Sequence, residues 1–433
     1  MQQASSEQKS PIRGFLKKLK FPDDGPTWRK LGAIFSLQIA HDLPNALTST
    51  MAPTLFVKRF GMPLEYLGLF FLPYLVTALK WTWAPIVDNR WSPRFGRRRS
   101  WLGPLTILVA LCYGVIALIR PGLDTLFLII GLLMVKQIFY STQEIAADGY
   151  VVENLSVEER GLGSSIVWLG KEIGQVIGFA GLLFVADRYG WGQAFGAAAL
   201  LFIAFNLPAL LRPEPPVATN GAGQNAGVNQ FFKKKVNWRI LAVVFAMSFS
   251  VQMPVAAIGP FLGDKGLTLS EIGVVLGISA SIGAIISLSI ASIIISRLGA
   301  KRTAMLMLFI APLAAPPLLW MAAQDTVSAQ VVIFVILWST ICTAPVRMAL
   351  YAARIGWTSE GQAGTDITVQ QSTWFIGYAA AGAVSGLIAA NLGWFGFFII
   401  NIVATTAALL FFIISHDPIE EAVQRWRQRN AEA

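Results

Sequence analysis

The sequence of 433 residues contains few charged residues and few cysteines. Charged residues make up 13% of it and hydrophobic residues 55%, whereas a soluble domain usually carries about 25% charged residues. The two cysteines, Cys112 and Cys342, lie inside apolar stretches, which argues against a disulfide framework or a metal site. The composition therefore predicts an all-α polytopic membrane protein, and we expect no cofactor.

The N-terminus lacks the apolar core of a cleavable signal peptide. Residues 1–28 are polar and basic, so we expect them to remain as a cytoplasmic tail. The net charge of +10 does not indicate a nucleic-acid partner, because the basic residues concentrate in short loops between apolar segments. The tendency of cytoplasmic loops to be positive accounts for that distribution.

A membrane-spanning helix needs about 20 predominantly apolar residues. The chain contains about twelve such segments. They are predicted at 29–56, 63–87, 101–120, 124–150, 161–186, 190–211, 238–262, 269–296, 302–323, 327–352, 364–390 and 393–415.

A polar segment at 212–237 divides these helices into two groups. It contains several prolines, a Gly/Asn-rich run and three consecutive lysines, which is the composition of a linker. We therefore predict one six-helix bundle over 29–211 and a second over 238–415. Residues 416–433 are predicted to form a second cytoplasmic tail.

Loop charge predicts the orientation of the chain. Most of the 34 lysine and arginine residues fall in the termini, the linker and alternate loops. The opposite set of loops holds only Lys58, Arg59, Arg120, Arg188 and Lys265. This asymmetry predicts that both termini lie in the cytoplasm.

The two halves of the sequence repeat one another. RFGRRR (Arg94 to Arg99) after the second segment recurs as RLGAKR (Arg297 to Arg302) after the eighth, and Leu64 corresponds to Leu269 at a similar offset of about 200 residues. A parallel duplication of six helices is typical of transporters.

Charged residues inside a bilayer cost roughly 2.5–3.5 kcal/mol each at a helix centre, so they are the main candidates for function. On the fourth segment Lys136, Tyr140, Glu144 and Asp148 recur every fourth residue and form one stripe. Two acids one turn apart repel in a low dielectric, which favours proton exchange at one of them. The alternative for Asp148 is a gate formed with Arg160 or another loop arginine.

Basic side chains within the helices are candidates for substrate contact. Lys80 could bind an anionic substrate, pair with an acid of the fourth helix or extend to the membrane surface. Lys171 and Glu172 point about 100° apart, so at least one should face a central cavity. Arg347 is the single deep arginine predicted in the second half and offers a planar fork for carboxylates. The predicted substrate-binding residues are Lys80, Trp168, Lys171, Arg347 and Trp374.

Two further positions on other helices are candidates for proton coupling. The first is the pair His41 and Asp42, which precedes Pro44, a residue that frees a backbone carbonyl. The pair either relays protons, or Asp42 caps the kinked segment. Asp366 lies in the first turns of the eleventh segment, where it either joins a site or favours the helix N-terminus. The predicted proton-coupling residues are His41, Asp42, Glu144, Asp148, Glu172 and Asp366.

Small residues recur at helical spacing on two segments. Gly170, Gly174 and Gly178 form a stripe on the fifth, and Gly382 and Gly386 form a shorter one on the eleventh. Such stripes predict close helix–helix packing.

Three stretches resemble known transporter families. WAPIVDNRWSPRFGRRR (Trp83 to Arg99) is similar to the cytoplasmic latch of the major facilitator superfamily. STQEIAADGYVVENLSVEERGLGSSI (Ser141 to Ile166) resembles the helix 4–5 signature of AmpG-type muropeptide permeases, and GQAGTDITVQQS (Gly361 to Ser372) resembles RhtX/FptX-type siderophore permeases. The resemblance implies a latch at the cytoplasmic face made of Asp88, Arg94, Arg97, Arg98 and Arg160.

The resemblance implies a secondary, proton-coupled importer that works by alternating access. The expected substrate is a siderophore or its ferric complex, and the alternative is a muropeptide or other cell-wall fragment. An exporter, a non-transporting sensor and an integral membrane enzyme are the other hypotheses, and no nucleophile–base set supports the enzyme. The expected partners are a small-molecule substrate and membrane lipids, with the chain as a monomer.

Overall fold

A computed structural model describes residues 25–155, 160–212, 214, 228–358 and 363–431. These residues are almost entirely helical, and an isolated β-bridge joins Ser92 and Gly96 in a loop. Within the described ranges, eight helices are long and apolar enough to cross a membrane. The predicted all-α polytopic class is confirmed.

The first half contains six helical segments, several of them built from consecutive α, 3-10 and π turns. They are α1 (Gly25–Asp42, Leu47–Met51 and Ala52–Phe60), α2 (Leu64–Phe71, Pro73–Ala78, Lys80–Thr82 and Ala84–Asn89), α3 (Arg99–Leu118), α4 (Leu126–Asn154), α5 (Arg160–Val176, Ile177–Leu182 and Leu183–Tyr189) and α6 (Trp191–Leu211).

The second half repeats this pattern after a short helix, Val228–Lys233, in the predicted linker. Its segments are α7 (Lys235–Asp264), α8 (Leu269–Val274, Val275–Ser279 and 280–298), α9 (300–310, Ala311–Ala314 and Ala315–Ala323), α10 (Ala329–Gly356), α11 (363–392) and α12 (394–431).

Two glycines separate helices that run on without a loop. Gly299 (φ +77°) lies between α8 and α9, and Gly393 (φ +67°) lies between α11 and α12. Glycine adopts this left-handed backbone at little steric cost, so the chain turns sharply there. Beyond the predicted bundle, α12 continues as helix through Ala431 into the segment predicted as a tail.

Helix α2 is divided into short pieces. Pro73 and Pro85 each begin a new helical stretch, because proline lacks the N–H that a continuing helix needs. Between these stretches Lys80–Thr82 forms a 3-10 turn.

The glycine stripe on α5 packs against the backbone of α1. A Cβ added at Gly174 would lie 2.7 Å from the carbonyl oxygen of Ile39, and one added at Gly178 would lie 2.2 Å from that of Leu43. The helices therefore approach more closely than any larger residue allows.

The two halves contact each other closely at the end that carries the turns at Gly61 and Gly266. A Cβ at Gly386 of α11 would lie 2.0 Å from the carbonyl oxygen of Leu64 in α2. Near the same end Ser270 Oγ donates a hydrogen bond of 2.6 Å to Asp187 Oδ2. We call this the closed end of the bundle.

We predict that Gly178→Ala lowers the melting temperature of the detergent-solubilised protein. The added methyl group overlaps the backbone of α1, and overpacking of this kind costs about 1–3 kcal/mol. The control is Gly196→Ala, where nothing lies within 4 Å of the added atom. Thermal unfolding at one heating rate should show a lower melting temperature for Gly178→Ala and not for Gly196→Ala. Equal melting temperatures of the two variants would contradict the close packing.

Candidate functional site

Lys80 and Glu144 form an ion pair between α2 and α4. Lys80 Nζ donates to Glu144 Oε2 at 2.7 Å, and the two side chains are 12% and 22% exposed. Of the three alternatives for Lys80, the structure shows pairing with a helix-four acid. A partly buried lysine and carboxylate satisfy each other's charge in this way.

Other predicted residues surround this pair. The charges of His41 and Lys171 act on Glu144, and that of Lys171 also acts on Asp42. Asp148 lies one turn along α4, exposed, where the charges of Lys80 and Glu144 reach it. We call these six residues the α4 charge network; they are His41, Asp42, Lys80, Glu144, Asp148 and Lys171.

Hydrogen bonds hold the helices that carry the network. Tyr140 donates from its hydroxyl to the backbone carbonyl of His41 at 2.6 Å, which ties α4 to α1. Trp83 Nε1 donates to Thr142 Oγ1 at 3.1 Å, which ties α4 to α2. Lys136, the other cation of the stripe, is buried and donates to the amide oxygen of Gln137 at 2.7 Å.

A cavity of about 540 Å³ lies between α1 and α5 on one side and helices of the second half on the other. Trp168, Arg347 and Trp374, which were predicted to contact substrate, line it, as does Glu172, which was predicted for proton coupling. Lys80 and Lys171 are not among the lining residues and lie instead in the α4 charge network. Glu172 also lies within electrostatic range of Asp42, so α5 adjoins both the cavity and the network.

Arg354 lies in a helix rather than in a loop. The tenth segment was predicted to end at residue 352, which left Arg354 in the loop that follows it. The structure continues α10 through Gly356, so Arg354 is helical, 4% exposed and part of the cavity wall. The prediction that Arg347 is the single deep arginine of the second half is therefore wrong.

Arg354 is held by neutral groups of α11. Its Nε donates to Gln370 Oε1 at 3.1 Å and its Nη2 to Gln371 Oε1 at 3.2 Å. The pattern of charged residues alone gave no signal for these glutamines.

Asp366 does not line the cavity. It is buried in the first turn of α11, and its charge acts on Lys234 beside the linker.

Three of the predicted latch residues, Asp88, Arg97 and Arg98, form a cluster at the N-terminus of α3. Arg98 donates from Nη1 to Asp88 Oδ1 at 2.6 Å and from Nη2 to Glu153 Oε1 at 2.7 Å. Arg97 Nη1 also donates to Glu153 Oε1 at 3.1 Å. Arg94 instead is exposed, with its guanidinium 5.8 Å from the Phe95 ring centre.

Two acids of this cluster were not predicted. Glu153 ends α4, and Glu214 follows α6 and accepts from the backbone N–H of Arg98 at 3.0 Å and of Arg99 at 2.5 Å. A carboxylate at a helix N-terminus is favourable because the first N–H groups lack partners. Asp88, Arg97 and Arg98 therefore have their described partners within the first half and its linker. The side chain of Arg160 lies outside the described residues.

Hydrogen bonding decides the charge state of Arg98. Burial disfavours the guanidinium, but hydrogen bonds to Glu153 and Asp88 outweigh it and raise the pKa of Arg98. The arginine therefore stays charged.

One group of potential metal ligands lies on α12, outside the cavity lining. His416, Asp417 and Glu420 place their ligand atoms within 4.8 Å of one another near the end of α12. Lys301 pairs with Asp417 there, which supplies a cation without a metal.

Comparisons with known proteins identify the type of fold. The family model of the Major Facilitator Superfamily matches residues 34–353. Among solved structures, the nucleoside transporter NupG is 13% identical with a TM-score of 0.72, covering 89% of this chain and 99% of that one. An inward-facing, occupied bacterial homologue of the human lysosomal transporter Spinster is 14% identical with a TM-score of 0.64, covering 96% and 97%.

Curated relatives include named permeases. The chain is 25% identical over 399 residues to the anhydromuropeptide permease of Escherichia coli (strain K12), covering 89% of this chain and 79% of the permease. It is 24% identical over 401 residues to putative transporter AmpG 4 of Rickettsia conorii, covering 89% and 96%. These findings confirm the AmpG-like resemblance and do not support the resemblance to siderophore permeases.

We predict that Arg98→Gln lowers the melting temperature more than Arg94→Gln. Losing the Arg98 charge leaves Asp88 and Glu153 without their central cation, at a cost of about 1–3 kcal/mol for these partly exposed carboxylates. Arg94 is exposed and is the matched control. Equal shifts in thermal unfolding would show that the cluster does not stabilise the helix ends.

Proposed function

The chain belongs to the Major Facilitator Superfamily, and we propose that it imports muropeptide-type cell-wall fragments across the bacterial inner membrane. The observation that carries this proposal is the similarity to the anhydromuropeptide permease over most of both chains. Membership of a transporter superfamily supports a transport function. The siderophore hypothesis has no comparable support, so we replace it with the alternative.

The cavity suits such a substrate. Its volume of about 540 Å³ falls in the range of about 300–1,000 Å³ that is typical of small-molecule sites. Trp168 and Trp374 offer aromatic faces on which sugar rings pack, while Thr340, Thr343 and Asn401 offer hydrogen bonds. A muropeptide combines sugar rings with a short peptide and therefore needs both kinds of surface.

The position of the closed end supports an alternating-access cycle. Close backbone contacts such as Gly386 against Leu64 join the halves at the end opposite the arginine loop. With the arginine loop in the cytoplasm, as its charge predicts, the structure corresponds to a state closed to the outside. Transport then requires these contacts to open while the other end closes.

The α4 charge network is our candidate for energy coupling. Protonation of Glu144 would neutralise it and release Lys80 from the ion pair, so a proton would change the contacts between α2 and α4. Asp148 is the next acid on the same helix, and His41 and Asp42 face the pair from α1. Glu172 and Asp366 remain secondary proposals because they lie outside this network.

The direct test is uptake in cells. A bacterial strain that lacks its own muropeptide permease would express this chain and receive labelled anhydromuropeptide, with and without a protonophore. We expect uptake that needs the gene and stops with the protonophore. Ferric siderophores supplied to the same strain are the control, and uptake of a siderophore without uptake of muropeptide would overturn the proposal.

We predict that Glu144→Gln abolishes protonophore-sensitive accumulation but retains exchange of labelled for unlabelled substrate. Exchange needs the conformational cycle of the loaded carrier, whereas accumulation needs the coupled proton. The matched control is Glu65→Gln, which changes an exposed acid at the start of α2. Accumulation by Glu144→Gln at the unmodified level would remove Glu144 from the coupling role.

A further inference from the structure

Two arginines on one face of α10 lie in the wall of the cavity. Arg347 and Arg354 are both lining residues. They are two turns apart in sequence, so their backbones lie on the same side of the helix and about 10 Å apart along its axis. Both guanidinium groups therefore belong to a single ligand site.

Neither guanidinium has a carboxylate within ion-pair distance in the described part of the chain. Gln370 and Gln371 accept from Arg354 through neutral amide oxygens. Glu172 is the acidic residue among those that line the cavity; its charge reaches Arg347, and it also hydrogen-bonds to Ser281. The wall thus holds two cations and one anion.

Other buried cations differ from this pair, except Lys136, which donates to the neutral amide oxygen of Gln137 and does not line the cavity. Lys80 pairs with Glu144, and Arg98 pairs with two carboxylates. Uncompensated charge in a low-dielectric interior is costly and is retained mainly where a ligand of opposite charge binds it. The amide oxygens on Arg354 fix the plane of its guanidinium and leave other N–H groups for an anion.

We propose that Arg347 and Arg354 bind two separate carboxylates of one substrate and so make the carrier selective for dianionic over monoanionic ligands. Each planar guanidinium donates charge-assisted hydrogen bonds to one carboxylate. The spacing of about 10 Å suits carboxylates on different residues of a peptide stem. The inference rests on the proposed function for the muropeptide class and adds which of its groups are recognised.

The test compares binding of two muropeptides to the purified full-length protein. One carries a peptide stem with two free carboxylates, and the other has the terminal carboxylate amidated. The wild-type protein should bind the dianionic compound at least about tenfold more tightly. Arg354→Gln should weaken binding of the dianionic compound roughly 10- to 100-fold and leave the affinity for the amidated compound nearly unchanged.

Two further variants separate recognition from structure. Arg354→Lys keeps the positive charge but lacks the planar guanidinium, so it should retain more of the selectivity than Arg354→Gln does. Arg302→Gln removes an exposed arginine at the start of α9 and should leave both affinities unchanged. Equal weakening of both ligands by Arg354→Gln would overturn the inference, because it would show a structural role.

A second set of ligands separates this inference from the proposed function. Linear dicarboxylates whose ends reach about 10 Å apart are compared with monocarboxylates of the same length by thermal shift. Stabilisation by dicarboxylates that disappears in Arg354→Gln, without muropeptide binding, would reject the proposed substrate and support the two-carboxylate site. Stabilisation that is independent of both arginines would reject the site itself.

Discussion

The cost of placing charge in a low-dielectric interior determines how this bundle is organised. Where a cation has no ligand to meet, it is paired within the protein, as Lys80 is with Glu144 at 2.7 Å. Arg354, which lines the cavity, is held by neutral amide oxygens, and buried Lys136 is held in the same way away from the cavity. Because uncompensated charge is expensive in the interior, a cation that lines a cavity without a carboxylate partner is placed to meet a charged ligand.

Close backbone contact is the second constraint, and glycine makes it possible. Within the first half, Gly174 and Gly178 bring α5 onto α1; between the halves, Gly386 brings α11 onto α2. Contacts of this kind rely on shape rather than on strong hydrogen bonds, so two surfaces can separate without leaving buried polar groups unpaired. That property suits a closed end that must open in each transport cycle.

Sequence periodicity predicted the helices well and the sites less well. The spacing of the α4 stripe placed Glu144 and Asp148 on one face, and the glycine stripe on α5 predicted its packing. Lys80 lies in a 3-10 turn that interrupts α2, and apolar composition does not reveal this turn. Arg354 was assigned to a loop because polarity near a helix end looks the same whether the helix stops or continues.

Helix α5 connects the two sites that the structure separates. Lys171 belongs to the α4 charge network, while Trp168 and Glu172 on the same helix line the cavity. The ammonium of Lys171 also lies 5.9 Å from the centre of the Trp168 ring. Because a helix moves largely as a rigid unit, a change of charge at Glu144 that shifts α5 also alters the cavity wall. Proton and substrate would then influence each other through one element, without a shared ligand.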